Sequence, residues 1–411
     1  MEAIVKNGHA AECAVFTVCN IAYLPKALVL AESLFKHDGR RLNIYLFDKK
    51  QTFRYPSSSA NIIWIEDIGV PSWKQLAFLY DIIEFSTSLK PFIALQLLKT
   101  NRSVIFMDPD TCIFSTLSTV DELLDKHPIV LTPHYRKPQP STEGESDLAM
   151  MRFGSFNLGF FAVNDTDEAY AFLRWWSDRC IAFSFMESQF GLSTDQKWVS
   201  IAPCFFPNLH VSFNAGLNAA PWNTFERQLS HSSAGGINVD GNCPLIFFHF
   251  SNFDVVDPQY LKKRASSEAG VEYPVLLAIA QIYAARLKFM AEQVDTVQYS
   301  FDYMSDGSYI SPTFRRAYAA IRQELPADHD PFDSSGVVGN FGKRNNIVSK
   351  STPKYTYPGL RDVQKHSLKM AFIYQAMRVI LRIAGPNRFY DLSKLMVFLS
   401  IYRRNRGLWN K

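Results

Sequence analysis

The sequence predicts an α/β fold: a mostly parallel sheet with helices on both faces, plus a helical extension at the C-terminus. Three observations predict it. Apolar strand-like runs alternate with helical stretches from Ala14 to Met107, and strands separated by helices need crossover connections, which make neighbours parallel. The composition is that of a globular chain, with 411 residues, 47% apolar, 20% charged and 14% aromatic, ample for a large core over two or three domains. Gly 19 and Pro 21 are too few for a fibrous or low-complexity protein.

Ala14 to Val18 reads as a buried strand. Leu24 to His37 reads as a helix, with Pro25 near its start, Leu28, Ala31, Leu34 and Phe35 on one face, and Gly39 just after it. Leu42–Phe47 and Ile62–Ile65 are the next strands, Trp73–Phe85 and Ser88–Thr100 the next helices, and Val104–Met107 a fourth strand ending on Asp108. Ligands of such sheets bind beyond the carboxyl ends of the strands, which is where Thr17 and Asp108 would sit. Tyr135 to Asp147, with its prolines and the run Ser-Thr-Glu-Gly-Glu-Ser, reads as a loop, either a lid over a site or plain surface. Phe156–Val163, a helix over Asp165–Phe183, Ser193–Ile201 and the apolar strand Leu245–Phe250 complete a first domain over residues 1–257. Residues 258–323 turn helical and are expected to pack on it, 324–358 have the composition of a linker or long excursion, and 359–411 form a basic helical tail.

The net charge of +4 is uneven, because Arg361 to Lys411 carries eleven Lys/Arg against two Asp. The remainder is net acidic, which argues against a nucleic-acid footprint on the main body. The six cysteines (Cys13, Cys19, Cys112, Cys180, Cys204, Cys243) include no C-x-x-C pair and suggest buried thiols in a reducing compartment. The start lacks the apolar core of a signal peptide, and no run reaches the roughly 18 apolar residues of a membrane span. A cytoplasmic protein is expected.

Chemistry concentrates where the fourth strand ends. Val104-Ile105-Phe106-Met107-Asp108-Pro109-Asp110-Thr111 places two carboxylates, one residue apart, at the mouth of a buried strand. Such a pair can hold a divalent cation, which neutralises a diphosphate; it can also be a turn that caps the next element. Downstream come Phe156-Asn157-Leu158-Gly159, Asp195-Gln196, Trp222-Asn223 and Phe248-His249-Phe250-Ser251. Each alone is weak, since a strand bend, a helix start or a satisfied core histidine would read the same.

In their order and spacing these motifs resemble the retaining GT-A glycosyltransferases of the family-8 type, and more closely bacterial polysaccharide-assembly transferases with Trp-Asn followed by a strand ending His-Phe-Ser. The resemblance spans roughly Ala14 to Val255. It implies a Rossmann-like GT-A domain in which Asp108, Asp110 and His249 ligate Mn²⁺ or Mg²⁺ on the diphosphate of a nucleotide-sugar, a UDP-sugar by preference. It places Thr17 and Tyr23 against the nucleobase and Lys90 near the donor, with solvated surface the competing reading for the lysine. Asn157, Gly159, Asp195 and Gln196 would hold the donor sugar, with Asp195 the nearest carboxylate for a nucleophile. The alternative has the acceptor attack on the face the diphosphate leaves, the leaving oxygen taking the proton. Trp222 and Asn223 would touch sugar or acceptor, unless Trp222 is ordinary core. The sequence departs from the pattern after the histidine, where Ser251-Asn252-Phe253-Asp254 replaces a lysine-containing motif.

The acceptor implied is a saccharide or a lipid-linked saccharide in bacterial surface-polysaccharide synthesis. Asp108-x-Asp110-Thr111 also matches the first motif of haloacid-dehalogenase-type phosphatases, although no acidic pair of the kind that family needs follows. A non-catalytic saccharide-binding scaffold is the third reading. In the tail, Arg378 and Arg382 lie one helical turn apart within Met370–Ala384, a run too short to span a bilayer. Docking on an anionic membrane face, packing on the catalytic domain and a homodimer contact are the readings it leaves open.

Overall fold

The computed structural model describes residues 11–56, 60–138, 146–233, 235–257, 274–349 and 367–409. It divides into two compact units, Met1–Trp73 with Ile82–Ser300, and Lys74–Asp81 with Phe301–Lys411. The N-terminal stretch through residue 10, much of the expected loop at 135–147, the start of the helical region at 258 and the segment 350–366 lie outside the described residues.

The first unit is built on strands β1 (Ala11–Cys19), β2 (Leu42–Leu46), β3 (Ala60–Trp64), β4 (Asn101–Met107), β5 (Thr111–Ile113), β6 (Ile129–Pro133) and β7 (Phe156–Asn164). Short strands follow: β8 (Met186–Glu187), β9 (Leu192–Ser193), β10 (Leu209–Val211), β11 (Leu229–His231), β12 (Ile237–Val239), β13 (Cys243–Pro244) and β14 (Phe247–His249). The main sheet has seven strands in the order β10-β6-β7-β4-β1-β2-β3. It is mostly parallel, as expected; β7 alone runs antiparallel, to both β4 and β6.

Helix α1 (Leu24–Asp38) supplies the first crossover. It stops at Gly39, whose φ of +81° is a left-handed conformation that a side chain would strain, with its N–H donated to Phe35 O at 3.0 Å. Leu28, Ala31 and Leu34 are buried as expected, while Phe35 turns out to solvent. An aromatic ladder fixes the centre of the sheet. Phe16 of β1 meets Phe106 of β4 at 5.0 Å between ring centroids, Phe106 meets Phe161 of β7 at 5.3 Å, and Phe161 meets Trp176 at 5.0 Å. Each such pair adds about 0.5–1.5 kcal/mol beyond its buried area, so β4 emerges into the site from a stiff support.

Where one helix was expected over Trp73–Phe85, two form, α2 (Trp73–Leu79) and α3 (Ile82–Ser88), followed by α4 (Lys90–Leu97). Helices α5 (Ser118–Leu124), α6 (Ser146–Phe153), α7 (Asp167–Phe183) and α8 (Gln196–Val199) complete the sheet's covering, with α6 taking up the end of the expected loop. Helix α9 (Pro274–Ala291) also belongs to the first unit. Contrary to the sequence reading, it is long and apolar enough to cross a membrane. Leu276, Ile279, Ala280, Tyr283 and Leu287 nevertheless bury into the unit's core, and Arg286 pairs with Glu32 of α1.

The second unit packs α10 (Pro312–Ile321) and α11 (Val337–Arg344) with the short segment Lys74–Asp81. Phe78 sits among Phe314, Tyr318 and Phe332 at 4.9–5.4 Å. The buried Arg315 donates to the carbonyls of Ala77, Phe78 and Tyr80 at 2.6–3.0 Å, and to Phe301 O and Asp302 Oδ1, both at 2.8 Å. These bonds hold open the break after α2. Residues 324–349, expected as a linker, carry α11 and a bridge from Ser349 to Tyr309. Helices α12 (Ser367–Ala384) and α13 (Pro386–Leu399) form the basic tail.

Candidate metal centre and sugar site

After β4 the chain turns sharply through Asp108-Pro109-Asp110. Thr111 closes the turn by donating both its N–H (3.1 Å) and its hydroxyl (2.8 Å) to Asp108 O. Strand β5 then pairs antiparallel with β14, placing His249 opposite Thr111. Phe250 N–H donates to Asp110 O at 2.8 Å and locks that register. The pairing brings together residues 139 positions apart in sequence. His249 Nε2 lies 3.0 Å from Asp110 Oδ1 and 3.8 Å from Asp108 Oδ2, and one ligand atom from each residue falls within 4.8 Å of the others.

Gly159 makes room for the imidazole. Strand β7 runs beside β4, so that Asp108 N–H donates to Gly159 O at 2.8 Å, and a Cβ on Gly159 would stand 2.7 Å from His249 Nδ1. Any side chain there displaces the ring.

Lys90 begins α4 and is only 3% exposed, so it is not a solvated surface lysine. Its ammonium lies 3.1 Å from Asp108 Oδ1 and 3.2 Å from Asp195 Oδ2, donates to Leu158 O at 3.2 Å, and sits 4.4 Å from the Phe106 ring centroid. Burial opposes its charge, but the two carboxylates outweigh burial and raise its pKa. Burial pushes the Asp195 carboxyl up, Lys90 drawing it back only in part. At Asp110 the His249 charge overcomes burial and lowers the pKa, while at His249 the Asp110 carboxylate overcomes burial and raises it. Asp108 and Asp195 thus share the Lys90 ammonium while Asp110 faces His249, so carboxylates outnumber the one buried ammonium of a largely buried cluster. Two hard carboxylate oxygens and an imidazole nitrogen fit Mn²⁺ or Mg²⁺, and a divalent cation would balance the cluster.

The other expected residues divide into those that face this centre and those that build its walls. Asn157 Oδ1 accepts from Gly159 N–H (3.0 Å) and Asn218 Nδ2 (3.1 Å). Gln196 Oε1 accepts from Leu158 N–H at 3.1 Å while its Nε2 donates to Phe153 O at 3.0 Å. Asn223 accepts from Ala220 N–H at 2.9 Å and donates to Asn218 O and His134 O, so its amide is spent on backbone groups of its own turn and of the chain just past β6. Trp222 stands edge-on to His249, ring centroids 5.3 Å apart, and its inaccessible Nε1 has no protein acceptor. Thr17 lies two residues inside β1, which runs on to Cys19, and is fully buried with its hydroxyl unpartnered. Tyr23 is 47% exposed with the Lys26 ammonium 4.1 Å from its ring centroid.

Two residues at the site, His134 and Tyr283, had no signal in the sequence, and a third, Asn218, heads the segment that runs into Trp222-Asn223 but carried no role of its own. His134, just past β6, has its Nε2 3.4 Å from Asn157 Nδ2 and its ring 6.2 Å from Trp222. Asn218 bridges Thr132 and Asn157. Tyr283 of α9 stacks on Phe250 at 3.9 Å and keeps a buried, unpartnered hydroxyl whose pKa burial and then the Asp110 charge push up. Each is a single polar residue within or beside an apolar run, and its role depends on partners distant in sequence.

No family model matches the chain. Over 304 residues it is 25% identical to the uncharacterized protein YfnD of Bacillus subtilis (strain 168), covering 71% of this chain and 93% of YfnD. It is 26% identical over 193 residues to YfnF of the same organism, covering 44% of this chain and 61% of YfnF. Among solved structures it is similar to the glycosyltransferase GlyE of Streptococcus pneumoniae TIGR4, with 14% identity, 69% of this chain and 66% of that chain covered, and a TM-score of 0.38. It is also similar to the galactosyltransferase LgtC in complex with donor and acceptor sugar analogues, with 13% identity, 70% and 98% covered, and a TM-score of 0.41. Both structural likenesses are remote.

Proposed function

We propose that this protein is a metal-dependent GT-A glycosyltransferase that moves a hexose from a nucleotide-sugar, a UDP-sugar by preference, to a saccharide or lipid-linked acceptor with retention of anomeric configuration. Bacterial surface-polysaccharide synthesis is the setting the motif resemblance favours. The observation that carries the reading is the convergence of Asp108, Asp110 and His249 within 4.8 Å, where the central strand β4 ends. Asp108, Asp110 and His249 would hold Mn²⁺ or Mg²⁺, which when bound would neutralise the donor's diphosphate.

The chain's own residues do the rest. Lys90 fixes the Asp108 and Asp195 carboxylates in place and offsets part of their charge. Asn157 and Gln196 stiffen the strand that carries Gly159, and Gly159 leaves the space His249 fills. Trp222 stands edge-on to His249 and braces the imidazole. Asp195 is 2% exposed, ion-paired to Lys90, and accepts from Thr194 Oγ1 at 3.0 Å. A carboxylate so engaged suits positioning better than nucleophilic attack. The favoured chemistry therefore has the acceptor hydroxyl attack on the face that the diphosphate leaves, its proton passing to the departing phosphate oxygen.

The test is a mass-spectrometric screen of nucleotide-sugars for Mn²⁺-dependent release of nucleoside diphosphate. Asp110→Ala is expected to lower turnover by at least about 100-fold with the fold intact. Undiminished activity in excess EDTA, or an unimpaired Asp110→Ala enzyme, removes the metal assignment. Cleavage of aryl phosphates with no nucleotide-sugar turnover redirects the site to phosphatase chemistry. An NMR spectrum showing a β linkage from an α-linked donor removes retention.

A further inference from the structure

Helices α12 and α13 make a hairpin whose side chains find few partners. The turn between them rests on Gly385, at φ +78°, whose N–H donates to Leu381 O at 2.9 Å and whose carbonyl accepts from Phe389 N–H at 3.0 Å. The base of the hairpin is tied down. Asn405 Nδ2 donates to Phe398 O (2.8 Å) and Leu399 O (3.2 Å), Trp409 is buried with Nε1 donating to Tyr402 O at 3.1 Å, and Arg406 pairs with Glu324 at 3.2 Å. The length of the hairpin is bare. Phe372 is 76% exposed, Ile383 82%, Met396 61% and Phe398 56%, and every residue of α12 from Ala371 to Ile383 is exposed. Contiguous exposed apolar residues along a helix mark an interaction surface.

Two further observations say what covers it. Over residues 371–384 of α12, at 100° per residue, the apolar side chains from Val379 round to Tyr374 occupy an arc of about 220°, and Gln375, Arg378 and Arg382 share the remainder with Ala371. Ser367 to Lys411 carries nine Lys/Arg and one acidic residue, Asp391. A second copy's hairpin would meet this one with like charge. An anionic lipid surface instead complements the basic residues and takes up the apolar arc. The helices measure about 27 and 21 Å at 1.5 Å per residue, against a hydrocarbon core of about 30 Å, and Arg378 with Arg382 opposes burial at its centre. We propose that the α12–α13 hairpin is an interfacial anchor that lies in the plane of an anionic bilayer.

The experiment is vesicle sedimentation of the full chain at low and high salt, with phosphatidylcholine vesicles and with vesicles containing one part phosphatidylglycerol to about two of phosphatidylcholine. The chain is expected to partition onto the anionic vesicles alone and to release as salt rises. Arg378→Glu/Arg382→Glu is expected to weaken partition by at least about tenfold, and Phe372→Ser/Ile383→Ser, at positions 76% and 82% exposed, to weaken it at low salt with the charges unchanged. Equal partition of the wild type and the charge-reversed variant overturns the proposal. So does a wild type that ignores anionic vesicles, including one that sediments as a stable dimer broken by Phe372→Ser/Ile383→Ser. None of these outcomes bears on nucleotide-sugar turnover.

Discussion

His134 shows how burial at the site should register in solution. Burial lowers its pKa from 6.5 to about 4, with hydrogen bonding to the Ser155 and Gly154 backbone opposing the shift in part and the His249 charge adding to it. Between those two values the unfolded chain binds a proton that the folded chain refuses. Stability therefore falls as pH drops from about 6.5 to about 4, by up to about 3 kcal/mol, and is fully present above that window. Urea unfolding at pH 7, 5.5 and 4 should show this loss, and His134→Gln should flatten it; an unchanged slope in the variant would assign the acid sensitivity to other groups. The acidic pair Asp108/Asp110 was legible in sequence because two carboxylates closing an apolar strand are conspicuous locally. His249 was legible through its motif. His134 was not, since what gives it a role is Asn157, 23 residues away.

Elements read well where their stop signals are local. The first helix was expected over Leu24–His37 and spans Leu24–Asp38, because Pro25 opens it and Gly39 closes it. The break between α2 and α3 has only a start signal, Asp81 three residues before Glu84, and no local stop. Arg315 holds the break by reaching Tyr80 O across 235 residues of sequence and collecting three carbonyls that a continuous helix would have used itself. Arg315→Leu would leave those carbonyls, Phe301 O and the Asp302 carboxylate without their donor inside the second unit. The expected cost is at least about 3 kcal/mol, read as a lower unfolding midpoint, with Arg315→Lys recovering part of it. A leucine variant as stable as the wild type would show that α2 and α10 hold together without this hub.

For the whole molecule, charge separates along the chain: the nine basic residues after Ser367 sit in the tail, while the first unit gathers Asp108, Asp110 and Asp195 where β4 ends. The mostly parallel sheet and its order of elements were legible because hydrophobic periodicity reports crossovers directly. The folded state of 324–349 was not, because its Pro, Asp, Ser and Gly composition reads as linker while its few apolar residues, Val338 and Phe341 among them, are buried. The central claim is that Asp108, Asp110 and His249 together bind a cation that recruits a nucleoside diphosphate. Isothermal titration of UDP into the full chain, with and without Mn²⁺, tests it most directly. UDP should bind the wild type at least about tenfold more tightly with Mn²⁺ than without it, and the gain should vanish in Asp110→Ala and His249→Ala. UDP binding that is equally tight without metal, or a Mn²⁺ effect that survives both substitutions, would contradict the claim.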